Sequence, residues 1–151
     1  MHSSVQAADV NVPIDKSKSG SLYVEAVINS GIRSHFLVDT GAGMITLNRE
    51  LFEQISESGK VEKTGEIAAR LANGKYEKMD LYKIESFSIG ENCNLGEMEV
   101  AVMKRAGRNI LGLSGLSIAA PFAVHINPLE LVLSGCPFYK NSITESQISM
   151  K

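Results

Sequence analysis

The stretch FLVDTGAGMITL, Phe36 to Leu47, sets one carboxylate, Asp39, between an apolar run and two glycines. A carboxylate at the end of a buried strand is costly unless it has a partner or a use. Thr40 beside it can donate a hydroxyl, and Gly41 and Gly43 let the backbone turn sharply and approach a ligand closely. Such a loop offers an acid/base group with backbone amides nearby. One carboxylate alone does not make a hydrolytic site. Two held close share one proton, because like charges a few Å apart cannot both ionise cheaply. One then acts as general base on a water while the other donates to the carbonyl under attack. The chain has only four aspartates, Asp9, Asp15, Asp39 and Asp80, and only Asp39 is followed by Thr-Gly or Ser-Gly. A two-fold axis through the loop brings Asp39 of a second copy to the first, so the residues point to a homodimer with one shared site.

The elements that must position this loop are short strands. SLYVEAVI alternates and is rich in β-branched residues, NSG follows as a turn, and IRSHFLVD resumes the pattern, which predicts a hairpin ending at Asp39. MITL predicts another short strand, and NRELFEQISESG, with an Asn cap position and a closing Gly, a short helix. Residues 65–89 centre on Asn73-Gly74, which predicts a long hairpin with a type I′ tip that projects from the body. GEMEVAVMK gives a strand, AGRNILGLSGLS a strand entering a helical turn, and PFAVHINPLELVL two strands around Asn127-Pro128. Many short strands with little helix predict an all-β domain, a small closed or partly closed barrel with one or two short helices. Residues 1–20, ending in KSKSGS, read as a flexible arm, 21–134 as the domain, and 135–151 as a polar tail that is either disordered or pairs with a second chain.

At 151 residues the chain is the size of one domain. Its 15 basic and 17 acidic residues leave a net charge of -2, and aromatic content is 6% with no Trp. No field draws in nucleic acid or acidic lipid, and no stacking platform for single strands is present. The longest apolar run, near Ala119 to Val124, is far too short to cross a bilayer. The opening MHSSVQAADVNV reads as a loose leader from which an upstream targeting or membrane segment could have been removed, so localisation stays unknown. Cys93 and Cys136 form neither a C-x-x-C pair nor a disulfide framework and read as small core or surface residues.

VDTGA at Val38 to Ala42, with its apolar lead-in, resembles the active-site motif of the retropepsin-like aspartic proteases. The NG-tipped hairpin looks like that family's flap, and GRNILG at Gly107 to Gly112 looks like its second apolar-apolar-Gly motif, Ile110, Leu111 and Gly112. The three occur in the family's order across about residues 22–133. The resemblance implies an aspartic endopeptidase with Asp39 as the catalytic carboxylate. Thr40 would brace the loop against the other subunit, and Gly41 would offer its carbonyl to the substrate backbone. Substrate-binding positions would be Gly41, Ala42 and Gly43, and, at the flap, Leu71, Ala72, Asn73, Gly74 and Tyr76. An extended polypeptide would add as a strand and be cut by direct water attack, with no metal and no organic cofactor. Retroviral members usually carry an acidic residue where Gly43 stands, paired with the arginine that matches Arg108. Bacterial-type relatives that follow a membrane anchor are closer in style, with L-S-G-L-S and F-x-V-x-I segments.

The alternatives belong to other classes. A domain of the same fold could be a catalytically silent peptide-binding or assembly module. A dinucleotide loop is disfavoured, because the third glycine of G-x-G-x-x-G would fall at Thr46. Ser114 does not fit G-x-S-x-G, since Gly115 follows it directly and Leu116 holds the last place, and reads as a helix-end residue. His35 and His125 have no metal spacing.

Overall fold

The computed structural model describes residues 8–139, and they fold as the all-β, partly closed barrel that the sequence predicts. Strands β1 (Val10–Pro13), β12 (Phe122–Ile126) and β13 (Leu129–Leu133) form a three-stranded sheet in the order β1-β13-β12. The larger sheet runs β14-β9-β8-β3-β4-β11-β5-β10-β7-β6, with β2 pairing to β3. Its strands are β2 (Asp15–Lys16), β3 (Leu22–Ile28), β4 (Ile32–Val38), β5 (Thr46–Leu47), β6 (Val61–Arg70), β7 (Tyr76–Ile84), β8 (Phe87–Ile89), β9 (Cys93–Asn94), β10 (Met98–Val102), β11 (Asn109–Leu111) and β14 (Phe138–Tyr139). Two short helices, α1 (Arg49–Glu57) and α2 (Leu113–Leu116), complete the described residues.

Alternation decides which faces are buried. In β3, Val24, Ala26 and Ile28 are fully buried, and Phe36 of β4 meets Phe87 of β8 edge to face at 5.1 Å between ring centroids. Helix α1 starts where Asn48 accepts a hydrogen bond from Leu51 N (2.8 Å) and stops before Gly59, whose φ is +74°. Leu51, Phe52 and Ile55 give it one buried face on the barrel.

Three expectations are corrected. The flexible arm is not free over residues 10–16. Val10, Val12 and Ile14 alternate, Val12 and Ile14 are buried, and β1 pairs antiparallel to β13 while β2 pairs to β3, so this short alternation finds a sheet edge to cover. Residues 1–7 lie outside the described residues. Cys93 and Cys136 are joined as a disulfide across 43 positions, because the chain brings their Cα atoms to 5.4 Å. That bond fixes the start of the tail beside β9, where β14 pairs within the same subunit, and residues 140–151 lie outside the described residues.

The tip of the β6–β7 hairpin is not a type I′ turn. Gly74 N donates to Leu71 O (2.9 Å), Leu71 N to Lys75 O (2.7 Å), and only Gly74 has positive φ. Asn73 instead uses its side chain, accepting from Lys75 N at 2.9 Å, so the loop is the three-residue form with a left-handed glycine. Adjacent non-glycine residues with positive φ occur at Asn29 (51°) and Ser30 (65°), between β3 and β4.

Candidate active site

The Asp39 loop is held by the strand that pairs beside it. Strand β11 lies between β4 and β5, parallel to β4 with Leu111 opposite Val38, and antiparallel to β5 at Ile110 and Thr46. Asp39 N donates to Leu111 O (3.1 Å), and Ala42 N back to Asp39 O (3.1 Å), closing a tight turn. Gly41 N donates to Asp39 Oδ1 at 2.9 Å, so the loop orients the carboxylate that begins it. The side chain is half-buried, and Thr40 and Gly41 are exposed at the lip.

On its far side the loop is stitched to α2. Leu113 N donates to Ala42 O and Ser114 N to Gly43 O, both at 2.9 Å, and Ile45 N donates to Ser114 Oγ at 3.0 Å. Gly112 is needed at this junction. A Cβ there would stand 2.7 Å from Ala42 O and 2.9 Å from Met44 C, closer than real contacts allow. The second apolar-apolar-Gly motif therefore works by geometry. Ile110 faces the cleft, Leu111 is fully buried in the core, and Gly112 lets the two loops touch.

Asn109 is a hub that the sequence reading counted only as part of the motif lead-in. It is 5% exposed; its Oδ1 accepts from Asn48 N (2.8 Å), and its Nδ2 donates to Ser34 Oγ (3.1 Å) and His35 O (3.3 Å). It thus ties the start of α1 to strand β4, the strand that leads into the Asp39 loop. Ser114 likewise reads in the sequence as a helix end, and in the structure its hydroxyl supports the loop by accepting from Ile45 N. A buried Asn beside an apolar strand is the signal that could have marked the first. The second has no local signal, because its partner Ile45 is 69 positions away.

A cleft of about 520 Å³ opens beside the loop, under the β6–β7 hairpin. Gly41, Ala42 and Gly43 line it on one side and Leu71 on the other, whereas Ala72, Asn73, Gly74 and Tyr76 are not among its lining residues, and Tyr76 is 69% exposed. Its floor is a second apolar cluster, separate from the main core: Met79, Ala101 and Met103, with Met44, Ile67 and Ile110 packed against them. The sequence reading did not anticipate this sulfur-rich floor. Arg108 lies at the edge and donates to Tyr23 OH at 3.4 Å. Of the other aspartates, Asp15 sits 3.5 Å from His35 and Asp80 3.5 Å from Lys63, each engaged away from Asp39.

Residues 24–117, most of the barrel and all of the loop, match the family model described as gag-polyprotein putative aspartyl protease. The chain belongs to this retropepsin-like aspartyl protease family. The same fold is seen in a crystal structure of a retropepsin-like aspartic protease from Rickettsia conorii, with a TM-score of 0.62 and 21% identity over 88% of this chain and 97% of that one. No curated protein matches the sequence. No helix among the described residues of this family member is long and apolar enough to cross a membrane.

Proposed function

We propose that this chain is an aspartic endopeptidase whose active form is a homodimer. The observation that carries the reading is Asp39, oriented by Gly41 N in the loop whose next residues, Gly41 to Gly43, line the cleft, in a member of an aspartyl protease family. Two copies related by a two-fold axis at the lip contribute one Asp39 each, and the pair holds one proton between them. One carboxylate takes a proton from water as it attacks the peptide carbonyl, and the other gives its proton to the carbonyl oxygen. Thr40, exposed beside the acid, braces one loop on the other, and the Gly41 carbonyl accepts from the substrate backbone. The β6–β7 hairpin acts as the flap, with Leu71 reaching the substrate first and the tip residues Ala72 to Gly74 and Tyr76 following on closure. No metal or organic cofactor is part of this chemistry. Activity is highest at acidic pH, where the shared proton is retained.

The test is cleavage of a denatured protein substrate across a pH series by the parent and by Asp39→Asn, with the oligomeric state measured by sedimentation. Cleavage by a dimer that disappears in the variant supports the reading, and a variant that cuts as fast as the parent ends it. One observation favours a peptide-binding module without turnover: Arg108, which finds no carboxylate at Gly43, rests on Tyr23 OH. A protein that stays monomeric and inert at every pH, yet retains a peptide, would bear that out.

A further inference from the structure

The cleft under the hairpin differs in charge from the molecule around it. The chain carries a net charge of -2, yet the cleft is lined by Arg70, Arg105 and Arg108 against a single acid, Glu77. Arg105 is already occupied, its Nη2 3.2 Å from Glu77 Oε1. Arg70, at the end of β6, and Arg108, before β11, have no carboxylate partner among the described residues. They stand at the rim of a floor made by Met44, Met79 and Met103, whose flexible thioethers accept varied apolar shapes. Among the described residues no aromatic ring lines the cleft on which a base could stack, so the complementary occupant is a peptide and not a single-stranded nucleic acid.

We infer that the cleft selects peptides in which an apolar side chain, seated on the methionine floor, has an acidic residue within one or two positions, the acid pairing with Arg70 or Arg108. This specificity rests on the proposed peptidase reading for turnover. The charge preference itself can be read from binding alone. Two arginines with no competing carboxylate are free to pair without first breaking an internal ion pair. Both are exposed, so the gain per pair is modest and sensitive to salt.

The experiment uses the full oxidised chain carrying Asp39→Asn and fluorescent peptides that are identical except for Glu, Gln or Lys beside a central Leu. Anisotropy titrations should show the Glu peptide binding about two- to five-fold more tightly than the Gln peptide at low ionic strength. The Lys peptide should bind most weakly, and the gap should shrink in about 0.5 M salt. Arg70→Gln should narrow the gap and Arg70→Gln with Arg108→Gln should close it, while Arg33→Gln, on the opposite strand pair with Glu25 and Glu91, should leave it intact. Equal affinity for Glu and Gln peptides, tighter binding of Lys, or a gap that survives the double variant overturns the inference. Failure of the parent chain to cut any peptide, with the binding gap present, would instead count against the peptidase reading only. Absence of any peptide binding overturns the inference as well.

Discussion

Replacing Gly112 by Ala tests whether the second apolar-apolar-Gly motif supports the Asp39 loop by close backbone contact. The added methyl would lie 2.7 Å from Ala42 O and closer still to Met44 O, where an ordinary contact begins at 3.4 Å, so one loop must retreat by at least about 0.7 Å. The three nearest atoms, Met44 O, Ala42 O and Met44 C, are all backbone, so no flexible side chain can absorb the shift. A retreat of that size lengthens the 2.9 Å bonds from Leu113 N to Ala42 O and from Ser114 N to Gly43 O beyond good geometry. Overpacking of about 1–3 kcal/mol and two weakened hydrogen bonds of about 0.5–1 kcal/mol each put the cost at about 2–5 kcal/mol. In a chain of this size that lowers Tm by about 4–20 °C. Gly43→Ala is the control, because a Cβ at Gly43 meets nothing within 4 Å and its φ is not positive. It should be neutral or stabilising by about 0.4–1 kcal/mol, through the unfolded state. Urea unfolding followed by circular dichroism, on both variants and the parent, reads the difference. A Gly112→Ala variant within about 0.5 kcal/mol of the parent would refute the contact as described.

Other perturbations follow from the same geometry. Asn109→Leu leaves Asn48 N, Ser34 Oγ and His35 O without their buried partner and should cost about 2–4 kcal/mol in urea unfolding, with Asn109→Asp losing less if its acceptor bond to Asn48 N survives. Reducing the Cys93–Cys136 bond, or replacing both cysteines by Ala, releases a loop spanning 43 positions and should lower stability by about 4 kcal/mol on the chain-entropy account, measured by unfolding with and without reductant. Lys63 on β6 has its pKa raised above 10.5, first by the charge of Asp80, so its pairing is fully present below pH 10.5 and is lost as pH rises through the higher folded value. A Lys63→Met variant should therefore show a stability profile parallel to the parent's between about pH 6 and 10 and converge with it only above 10.5.

Period-two alternation was enough to place most strands, because a strand with one buried face writes that face into every second residue, as β3 does with Val24, Ala26 and Ile28. Helix α1 was legible from Asn48 and Gly59, whose roles at its ends are local. The Asp39 loop was legible because Asp-Thr-Gly, the hairpin and the Ile110–Gly112 motif occur together in one order. The type of turn at Gly74 was not legible. Whether Asn73 takes positive φ or bonds Lys75 N with its own side chain depends on a small local balance.

Sequence by itself thus determined the all-β class, the place of the Asp39 loop at the end of a strand and the family to which the chain belongs. The tertiary structure alone decided the parts that rest on contacts between distant positions. β11 inserts between β4 and β5, Gly112 presses on Ala42, and Ser114 reaches Ile45. It joined Cys93 to Cys136 and turned Val10 to Lys16 from an expected loose arm into sheet. It also gathered Met44, Met79 and Met103 with Arg70 and Arg108 into one cleft. The physical reason is that pairing energy is gained only when the whole chain closes on itself, so no local propensity encodes which remote partner a strand, a thiol or a cleft residue will meet.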